Sequence, residues 1–251
     1  MYQRLIPSIL IHRGRLVKGK QYRDYRDAGA PATTARAHNY QGADELIVAD
    51  IDASRANAEP DFATLKNVAD ACFMPLTIFG GINSTERAGR CMEAGADKIG
   101  LTTTACENPE LIELLAHQYG AQSVVLGLDV MRDEAGKPRL FDHRTGKVRL
   151  DKDPFAWAKE AVDRGCGEIR LMAVANEGML CGFDFDLHRK LSRLVNVPVI
   201  LEGGCGSLDH LEQAYRMGVG AVAVGAMLVF SDANLVKIKQ HMRTRNINIR
   251  P

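Results

Sequence analysis

The sequence lacks several features that mark whole classes of protein. No apolar run in its 251 residues approaches the roughly 20 residues of a membrane-spanning helix. The N-terminal stretch MYQRLIPSILIHRGR has no signal-peptide cleavage pattern. The formal net charge is only +1, which gives no reason to expect a surface that coats a polyanion. These absences favour a cytoplasmic protein that binds neither a membrane nor nucleic acid.

The cysteines also form no recognisable pattern. The sequence contains neither a CxxC pair nor the Cys/His spacing of a zinc site. The six cysteines stand singly, at positions 72, 91, 106, 166, 181 and 205. We interpret them as small core residues in a reducing compartment, and we expect no disulfide, no metal and no cofactor.

A short phrase made of a proline, an apolar run and two glycines occurs twice. It runs from Pro75 to Gly81 and again from Pro198 to Gly204. Each copy is followed by helix-opening residues, a glycine turn and a further apolar strand, so two half-chains share one pattern. With 251 residues, the chain has the size of one barrel of this kind. The sequence therefore predicts an α/β fold, a single (β/α)8 TIM barrel of two duplicated half-barrels, with residues 1–251 as one domain.

Eight apolar segments predict the barrel strands, and helical segments follow them. Besides the two proline–glycine phrases, the strands are expected at 5–11, 45–51, 98–101, 123–130, 168–174 and 221–224. Helices are expected near 32–41, 61–71, 85–94, 110–119, 154–164, 185–194 and 209–217, with a last one from 234. The polar segment 20–31 is either a functional, mobile loop or a disordered surface flap. Two turn signals within 132–150 predict an inserted hairpin.

Both glycine pairs are candidate anion sites, because glycine lets backbone N–H groups approach a phosphate and a helix N-terminus follows. Hydroxyl groups at the end of the neighbouring strand in the first half suit a phosphate or a helix cap equally well. The candidate residues are Gly80, Gly81, Thr102 and Thr103 in the first half and Gly203, Gly204, Gly225 and Ala226 in the second.

One carboxylate is the best candidate for catalysis. Asp129 ends an apolar strand, and in such barrels the reactive face lies at the C-terminal ends of the strands. Desolvation is expected to raise its pKa toward that of a useful general acid/base, although it could instead cap the following loop. Asp50 and Asp52 are weaker candidates, because strand-end acids often bind only the local backbone. Strand one offers no facing carboxylate, since Leu10 cannot move a proton.

Four charged residues stand at the opposite, N-terminal ends of four predicted strands. They are Arg4, Glu45, Lys98 and Glu168. Two acids and two bases would converge at the bottom mouth of the barrel. They would form either a stabilising salt-bridge ring or a gate, and the sequence leaves both open.

The chain resembles the cyclase subunit family of imidazole glycerol phosphate synthase over nearly its whole length. The resemblance is carried by stretches such as RLIPSILIHRGRLVKG, GADELIVADIDASR and FGGINSTERAGRCMEAGADKIGLTTTA. It implies a barrel that receives ammonia from a glutaminase subunit docked on its N-terminal face, in a heterodimer. It also implies that the four strand-start charges form an ammonia gate, that Asp129 is one of two catalytic aspartates, and that Lys18 and Asp50 join the glycine sites in binding substrate.

The sequence departs from that family at the catalytic end. Leu10 stands where the first catalytic aspartate should be, and the strand-six rim reads VANEG at 174–178. Phe79 replaces a glycine, and Glu202 replaces a small residue. Carboxylates of Glu177 and Glu202 beside the second glycine pair would repel a phosphate unless they turn away. A substrate with two terminal phosphates is therefore disfavoured.

Three functions follow from these observations. With no aspartate on strand one, the stretch EPDFATLKNVADACFMPL resembles a divergent branch associated with surface polysaccharides. That branch implies conversion of an acetamido group to an acetamidino group on a phosphorylated or nucleotide-linked sugar, and this is the first expectation. The alternative is the cyclase subunit of histidine biosynthesis. A second alternative is a non-catalytic subunit that docks on a glutaminase and activates it.

Overall fold

The strands of the protein form one sheet in the computed structural model, which describes residues 2–56 and 58–251. The strands in chain order are β1 (Arg4–His12), β2 (Arg15–Lys20), β3 (Arg23–Gly29), β4 (Leu46–Asp50), β5 (Leu76–Phe79), β6 (Lys98–Leu101), β7 (Val124–Arg132), β8 (Pro138–Asp142), β9 (Lys147–Arg149), β10 (Glu168–Ala173), β11 (Val199–Glu202) and β12 (Ala221–Val224). Within the described residues, β1, β4, β5, β6, β7, β10, β11 and β12 run parallel and close a circle, because β10 pairs with both β11 and β7. The predicted (β/α)8 barrel is confirmed.

Helices alternate with the barrel strands along the chain. They are α1 (Pro31–Tyr40), α2 (Ile51–Ala56), α3 (Phe62–Ala69), α4 (Thr85–Glu93), α5 (Thr103–Glu107), α6 (Glu110–Tyr119), α7 (Pro154–Asp163), α8 (Phe185–Ser192), α9 (Leu208–Arg216), α10 (Ala226–Phe230) and α11 (Leu235–Thr244). Several helices begin where a side chain accepts a backbone N–H of the first turn. These capping residues are Asp61, Ser84, Asp153, Asp184, Ser207 and Asn234. No helix in the described part of the chain is long and apolar enough to span a membrane.

The inside of the barrel is filled by side chains from alternate strand positions. Its middle layer is a small apolar cluster, formed by Ile6, Ile47, Phe79, Val125, Ile200, Ala221 and Ala223. A much larger cluster joins the outer faces of the strands to the helices. The barrel is thus a packed core whose two open ends carry the polar groups.

Two hairpins extend beyond the C-terminal ends of the strands. The hairpin predicted within 132–150 is confirmed, with β8 and β9 following β7. The segment 20–31 is neither a loop nor a disordered flap, because β3 pairs antiparallel with β2. Its polarity misled the prediction, since an exposed strand needs backbone partners but no buried side chains. The short helices α2, α5 and α10 at the same rim were also not predicted.

The turn of the first hairpin is held down on the barrel mouth. Gln21 and Tyr22 adopt the left-handed region, with φ of 51° and 59°. The N–H of Gln21 donates to the backbone oxygen of Glu177 at 2.8 Å, and the N–H of Tyr22 donates to its carboxylate at 3.1 Å. This turn therefore places the Tyr22 ring beside the second hairpin, over the centre of the barrel.

Candidate functional site

The four charges predicted at the strand starts meet in a closed ring. Arg4 donates to the carboxylate of Glu45 and, at 2.6 Å from Nη2 to Oε1, to that of Glu168. Nζ of Lys98 lies 2.8 Å from an oxygen of each carboxylate. Burial alone would lower the pKa of Arg4 and of Lys98, but the two carboxylates outweigh it and raise both. The predicted salt-bridge ring is present, and its role as a gate stays a prediction.

The ring borders a groove of about 830 Å³ on the N-terminal face of the barrel. Large apolar side chains are exposed at the same end, where helices lead into strands. Phe73, in the loop before β5, is 94% exposed, and Tyr40, at the end of α1, is 83% exposed. The N–H of Phe73 donates to Oδ1 of Asn39 at 2.9 Å, so the two loops lie together. Exposed apolar groups grouped in this way are typical of an interaction surface.

Asp129 lies at the opposite end of the barrel, buried at 2% exposure. Its Oδ2 is hydrogen-bonded to Nε2 of His143, which the second hairpin brings over the barrel mouth. Its Oδ1 is buried, has no hydrogen-bond partner among the described residues and lies 3.7 Å from Nη1 of Arg170. Because neither oxygen accepts a backbone N–H from the described residues, the alternative of a loop-capping aspartate is wrong.

The predicted direction of the Asp129 pKa is also wrong. Burial does raise it, but the charge and hydrogen bond of His143 and the charge of Arg170 outweigh burial and hold the pKa below its ordinary value. Asp129 is therefore a carboxylate at neutral pH. It can orient a cation or accept a hydrogen bond, and it has no proton to give as an acid.

Arg170 brings a positive charge into the barrel interior. It follows Glu168 by two positions on β10, so both side chains point inward. Its Nε donates to the carboxylate of Glu202 from β11, and its guanidinium lies 5.2 Å from the centre of the Phe79 ring. Burial would lower the pKa of Arg170, but Glu202, Tyr22 and Asp129 outweigh it and raise the value well above the ordinary one. The guanidinium is thus permanently charged beside Asp129.

Asp129, His143 and Arg170 line a small cavity of about 50 Å³. Leu10 forms part of its wall, so the position across from Asp129 is apolar, as the sequence predicted. Tyr22 and His143 close the cavity from the two hairpins, with their rings 4.4 Å apart at 87°. Burial raises the pKa of Tyr22 well above its ordinary value, and its hydroxyl stays protonated. The cavity is therefore lined by two carboxylates, Asp129 and Asp50, by the guanidiniums of Arg170 and Arg55, and by the imidazole of His143.

The first predicted anion site is a separate cavity of about 30 Å³, next to the Asp129 cavity. Gly80 and Gly81 take φ of +107° and +68°, which favour glycine, and they line it together with Thr102 and Thr103. Oγ1 of Thr103 is buried without a partner among the described residues. Arg144 also lines this cavity and is paired with Glu107 through a contact of 3.1 Å. The first site thus combines hydroxyls, glycine backbone and a cation.

The second predicted anion site has a different charge. Gly203, Gly204, Gly225 and Ala226 line a cavity of about 20 Å³. The charged residues that line this cavity are Lys18, Glu177 and Glu202. Both glutamates border the cavity, while the Glu177 carboxylate accepts the N–H of Tyr22 and the Glu202 carboxylate accepts Nε of Arg170.

Lys18 is the only positive group among the residues that line this second cavity. Its Nζ donates to the backbone oxygen of Ser8 at 2.7 Å, and burial lowers its pKa. Burial also raises the pKa of Glu177. A doubly charged phosphate would lie here beside two glutamates and one lysine, and the ammonium of that lysine already donates a hydrogen bond to Ser8. The site is therefore poorly suited to a phosphate.

The two aspartates of β4 and α2 serve the local backbone. The Asp50 carboxylate accepts hydrogen bonds from the N–H groups of Asp52, Ala53 and Asp61, and burial raises its pKa. Asp52 accepts from the N–H of Arg13, and its Oδ1 lies 2.6 Å from Nδ1 of His12. Asp50 nevertheless lines the Asp129 cavity, so its binding role stays a prediction.

Sequence reasoning missed Arg170, His143, Arg144 and Tyr22. Arg170 could have been found from the sequence, because it is the single charged residue in the apolar run IRLMAV. It lies two positions after Glu168, so the two side chains point to the same side of the strand. The other three lie on polar hairpin segments, where a charged or aromatic residue is unremarkable. Only the pairing of the hairpins brings them over the barrel.

Comparison with known proteins agrees with the family resemblance of the sequence. The family model described as "Histidine biosynthesis protein" matches residues 4–234. The chain is 36% identical over 251 residues to "Imidazole glycerol phosphate synthase subunit HisF" of Thermobifida fusca, covering 98% of each chain. It is 34% identical to the subunit of the same name from Exiguobacterium sibiricum, covering 100% of both, and 38% identical to that from Halalkalibacterium halodurans, covering 99% of both. The chain therefore belongs to the histidine biosynthesis protein family.

Proposed function

We propose that the chain is the ammonia-using synthase subunit of a glutamine amidotransferase, and that a glutaminase subunit supplies the ammonia. The observation that carries this proposal is the placement of two sites on one barrel axis. A closed ring of Arg4, Glu45, Lys98 and Glu168 lies at one end, and the buried carboxylate of Asp129 lies at the other. A neutral ring can let an uncharged molecule pass once a salt bridge opens, whereas bulk ions meet both signs of charge.

The N-terminal face is the docking surface in this proposal. It offers the groove beside the ring and the exposed side chains of Phe73 and Tyr40. Aromatic anchors surrounded by polar groups are typical of the energetic centre of a protein–protein interface. A glutaminase docked there would release ammonia directly onto the ring.

The reaction supported by the relatives is the one in their name, imidazole glycerol phosphate synthesis. The names of these three relatives favour this alternative over the polysaccharide reaction that the sequence placed first. The first anion site, with Gly80, Gly81, Thr103 and Arg144, suits one phosphate end of such a substrate.

A second candidate is amidine formation on an acetamido sugar. The carboxylates of Glu177 and Glu202 beside the second glycine pair favour it, because they disfavour a second phosphate. The apolar Leu10 across from Asp129 also departs from a mechanism with two facing aspartates. A sugar hydroxyl or amide could bind to these carboxylates where a phosphate could not.

A binding titration followed by a turnover assay tests the choice. The purified chain is titrated with the histidine-pathway cyclase substrate, and turnover is then measured with ammonium chloride as the nitrogen donor. Binding with turnover supports cyclisation, and in that case Asp129→Asn should abolish product formation. Absence of binding, together with turnover of an acetamido sugar nucleotide in the presence of glutaminase, supports the second candidate. Product formation that is unchanged in Asp129→Asn would mean that the chain only activates its glutaminase.

A further inference from the structure

His143 is fixed in one orientation at the wall of the Asp129 cavity. Nε2 is hydrogen-bonded to Oδ2 of Asp129, and the side chain is 14% exposed. The ring stands edge-on to Tyr22 at 4.4 Å and to Phe141 at 5.2 Å. Contacts on two sides and a hydrogen bond at one nitrogen leave the imidazole a single position, which a residue that moves protons requires.

The charges around the ring determine which nitrogen carries its proton. The charge of Arg170 favours the ionised form of Asp129 whether or not His143 is charged, and a carboxylate oxygen can only accept a hydrogen bond. Nε2 of a neutral imidazole must therefore carry the proton, which leaves a lone pair on Nδ1. No protein group in residues 2–56 or 58–251 bonds to Nδ1, and this atom is not among the buried unpartnered ones. The free nitrogen is available to a ligand.

The other titratable groups of the cavity are unsuited to proton transfer. Tyr22 and Tyr25 are held protonated, since burial raises the pKa of Tyr22 well above its ordinary value and that of Tyr25 to about 12. Asp50 is engaged by three backbone N–H groups. Leu10 occupies the place where a second acid would face Asp129. Among the described residues that line the cavity, His143 is the remaining side chain with a ring nitrogen that can both accept and donate a proton.

We propose that His143 is a catalytic acid/base and that Asp129 positions it, in place of a pair of facing aspartates. This inference rests on the proposed function, the addition of ammonia to an electrophilic carbon. It explains how a chain with Leu10 on strand one can perform that chemistry. The arrangement follows the general logic in which a carboxylate orients an imidazole and stabilises its charged form.

The proton step is balanced within the site. The lone pair of ammonia forms the N–C bond, and the π electron pair of the substrate C=O moves to oxygen. Nδ1 of His143 takes one proton from the new nitrogen, and the imidazolium is stabilised by the Asp129 carboxylate. The imidazolium then returns this proton to the substrate oxygen, and a second proton from the nitrogen follows by the same route as water leaves.

His143→Gln tests the proposal, with His12→Gln as the matched control. His12 also pairs with an aspartate, Asp52, but it does not line the cavity. Turnover of the histidine-pathway cyclase substrate with ammonium chloride is measured across pH. We expect His143→Gln to lower kcat about 10²–10⁴-fold, the usual contribution of a general acid/base, with KM little changed. His12→Gln should stay close to wild type.

The pH profile separates catalysis from mere positioning. A rate that depends on proton transfer through the His143 ring should vary with pH in wild type, and His143→Gln should lose this dependence. The charged and titratable groups that line the same cavity are Asp129, Arg170, Tyr22, Tyr25, Asp50 and Arg55, and Asp142 and Arg144 adjoin His143 in the chain. Nitrogen NMR of labelled wild-type protein should show the proton of the neutral ring on Nε2, and this readout does not require the variant to fold.

Each outcome bears on the proposal. A proton found on Nδ1, or a His143→Gln variant with wild-type kcat, refutes the role of His143 alone. Wild-type protein that turns over neither this substrate nor an acetamido sugar nucleotide refutes the proposed function and the inference together. Equal losses in His143→Gln and Asp129→Asn that do not add in the double variant would support the pair acting as one unit.

Discussion

Replacing Arg170 with methionine should destabilise the barrel strongly, because it leaves the carboxylate of Glu202 buried without its cation. The Arg170 and Glu202 side chains are both nearly inaccessible, and they are joined through Nε. Removing one partner of a buried ion pair typically costs about 3–5 kcal/mol. For a chain of this size, a loss of that order lowers the melting temperature by roughly 10 °C. Urea unfolding followed by circular dichroism measures the change in the free energy of unfolding.

The double variant Arg170→Met/Glu202→Gln separates lost charge from lost packing. In this variant no carboxylate remains at position 202 without its cation. It should therefore recover at least about half of the lost free energy of unfolding, since neutral replacements of buried ion pairs are often tolerated. An exposed pair provides the control, because Arg189→Met breaks only a surface contact with Asp186 and should cost below about 1 kcal/mol.

Two results would refute this reasoning. A single variant within about 1 kcal/mol of wild type would mean that solvent or another cation reaches Glu202. A double variant no more stable than the single one would mean that the Arg170 side chain stabilises the barrel by packing on Phe79 and not by its charge.

Three further predictions concern the ring, the buried carboxylate and the docking face. Lys98→Met breaks two of the four ring contacts and should uncouple glutamine hydrolysis from product formation, measured as glutamate released per product, while ammonium-driven turnover stays near wild type. Asp129 has a pKa below the ordinary value of 3.8, so its stabilising contribution is complete above that value and is lost as the pH falls below it. The free energy of unfolding should therefore fall more steeply in wild type than in Asp129→Asn from about pH 4 to pH 2, and parallel curves would contradict this. Phe73→Ala should weaken glutaminase binding by about 1–2 kcal/mol in calorimetry without changing ammonium-driven turnover, and an unchanged affinity would place the partner elsewhere.

The barrel could be predicted from sequence because its signals are local. Apolar segments alternate with helical ones, and the repeated proline–glycine phrase fixes the relation between the halves. The charge ring could be predicted for a similar reason, since Arg4 and Lys98 each open an apolar strand. Parallel strands place all such positions at one end of a barrel.

The chemistry of Asp129 could not be predicted in the same way. Its pKa depends on His143, which lies fourteen positions away by sequence on a hairpin, and on Arg170 from the neighbouring strand. The apolar run around Asp129 indicated only that its carboxyl group is desolvated. Desolvation by itself predicts a raised pKa, whereas the pKa of Asp129 is lowered. The strand β3 was missed because its residues are exposed and its hydrogen bonds depend on β2.

The two cavities lined by the glycine pairs differ in charge, so the two sides of the barrel mouth are not equivalent to a ligand. The proline–glycine phrase occurs in both halves of the chain, and two equivalent glycine sites would accept a ligand in either of two orientations. Arg144 beside the first pair of glycines and the acids Glu177 and Glu202 beside the second remove this degeneracy. A ligand with one anionic end can then lie across the mouth in one sense only. In the proposed reaction, such a ligand would bring its reacting carbon to His143 in the same orientation in every turnover.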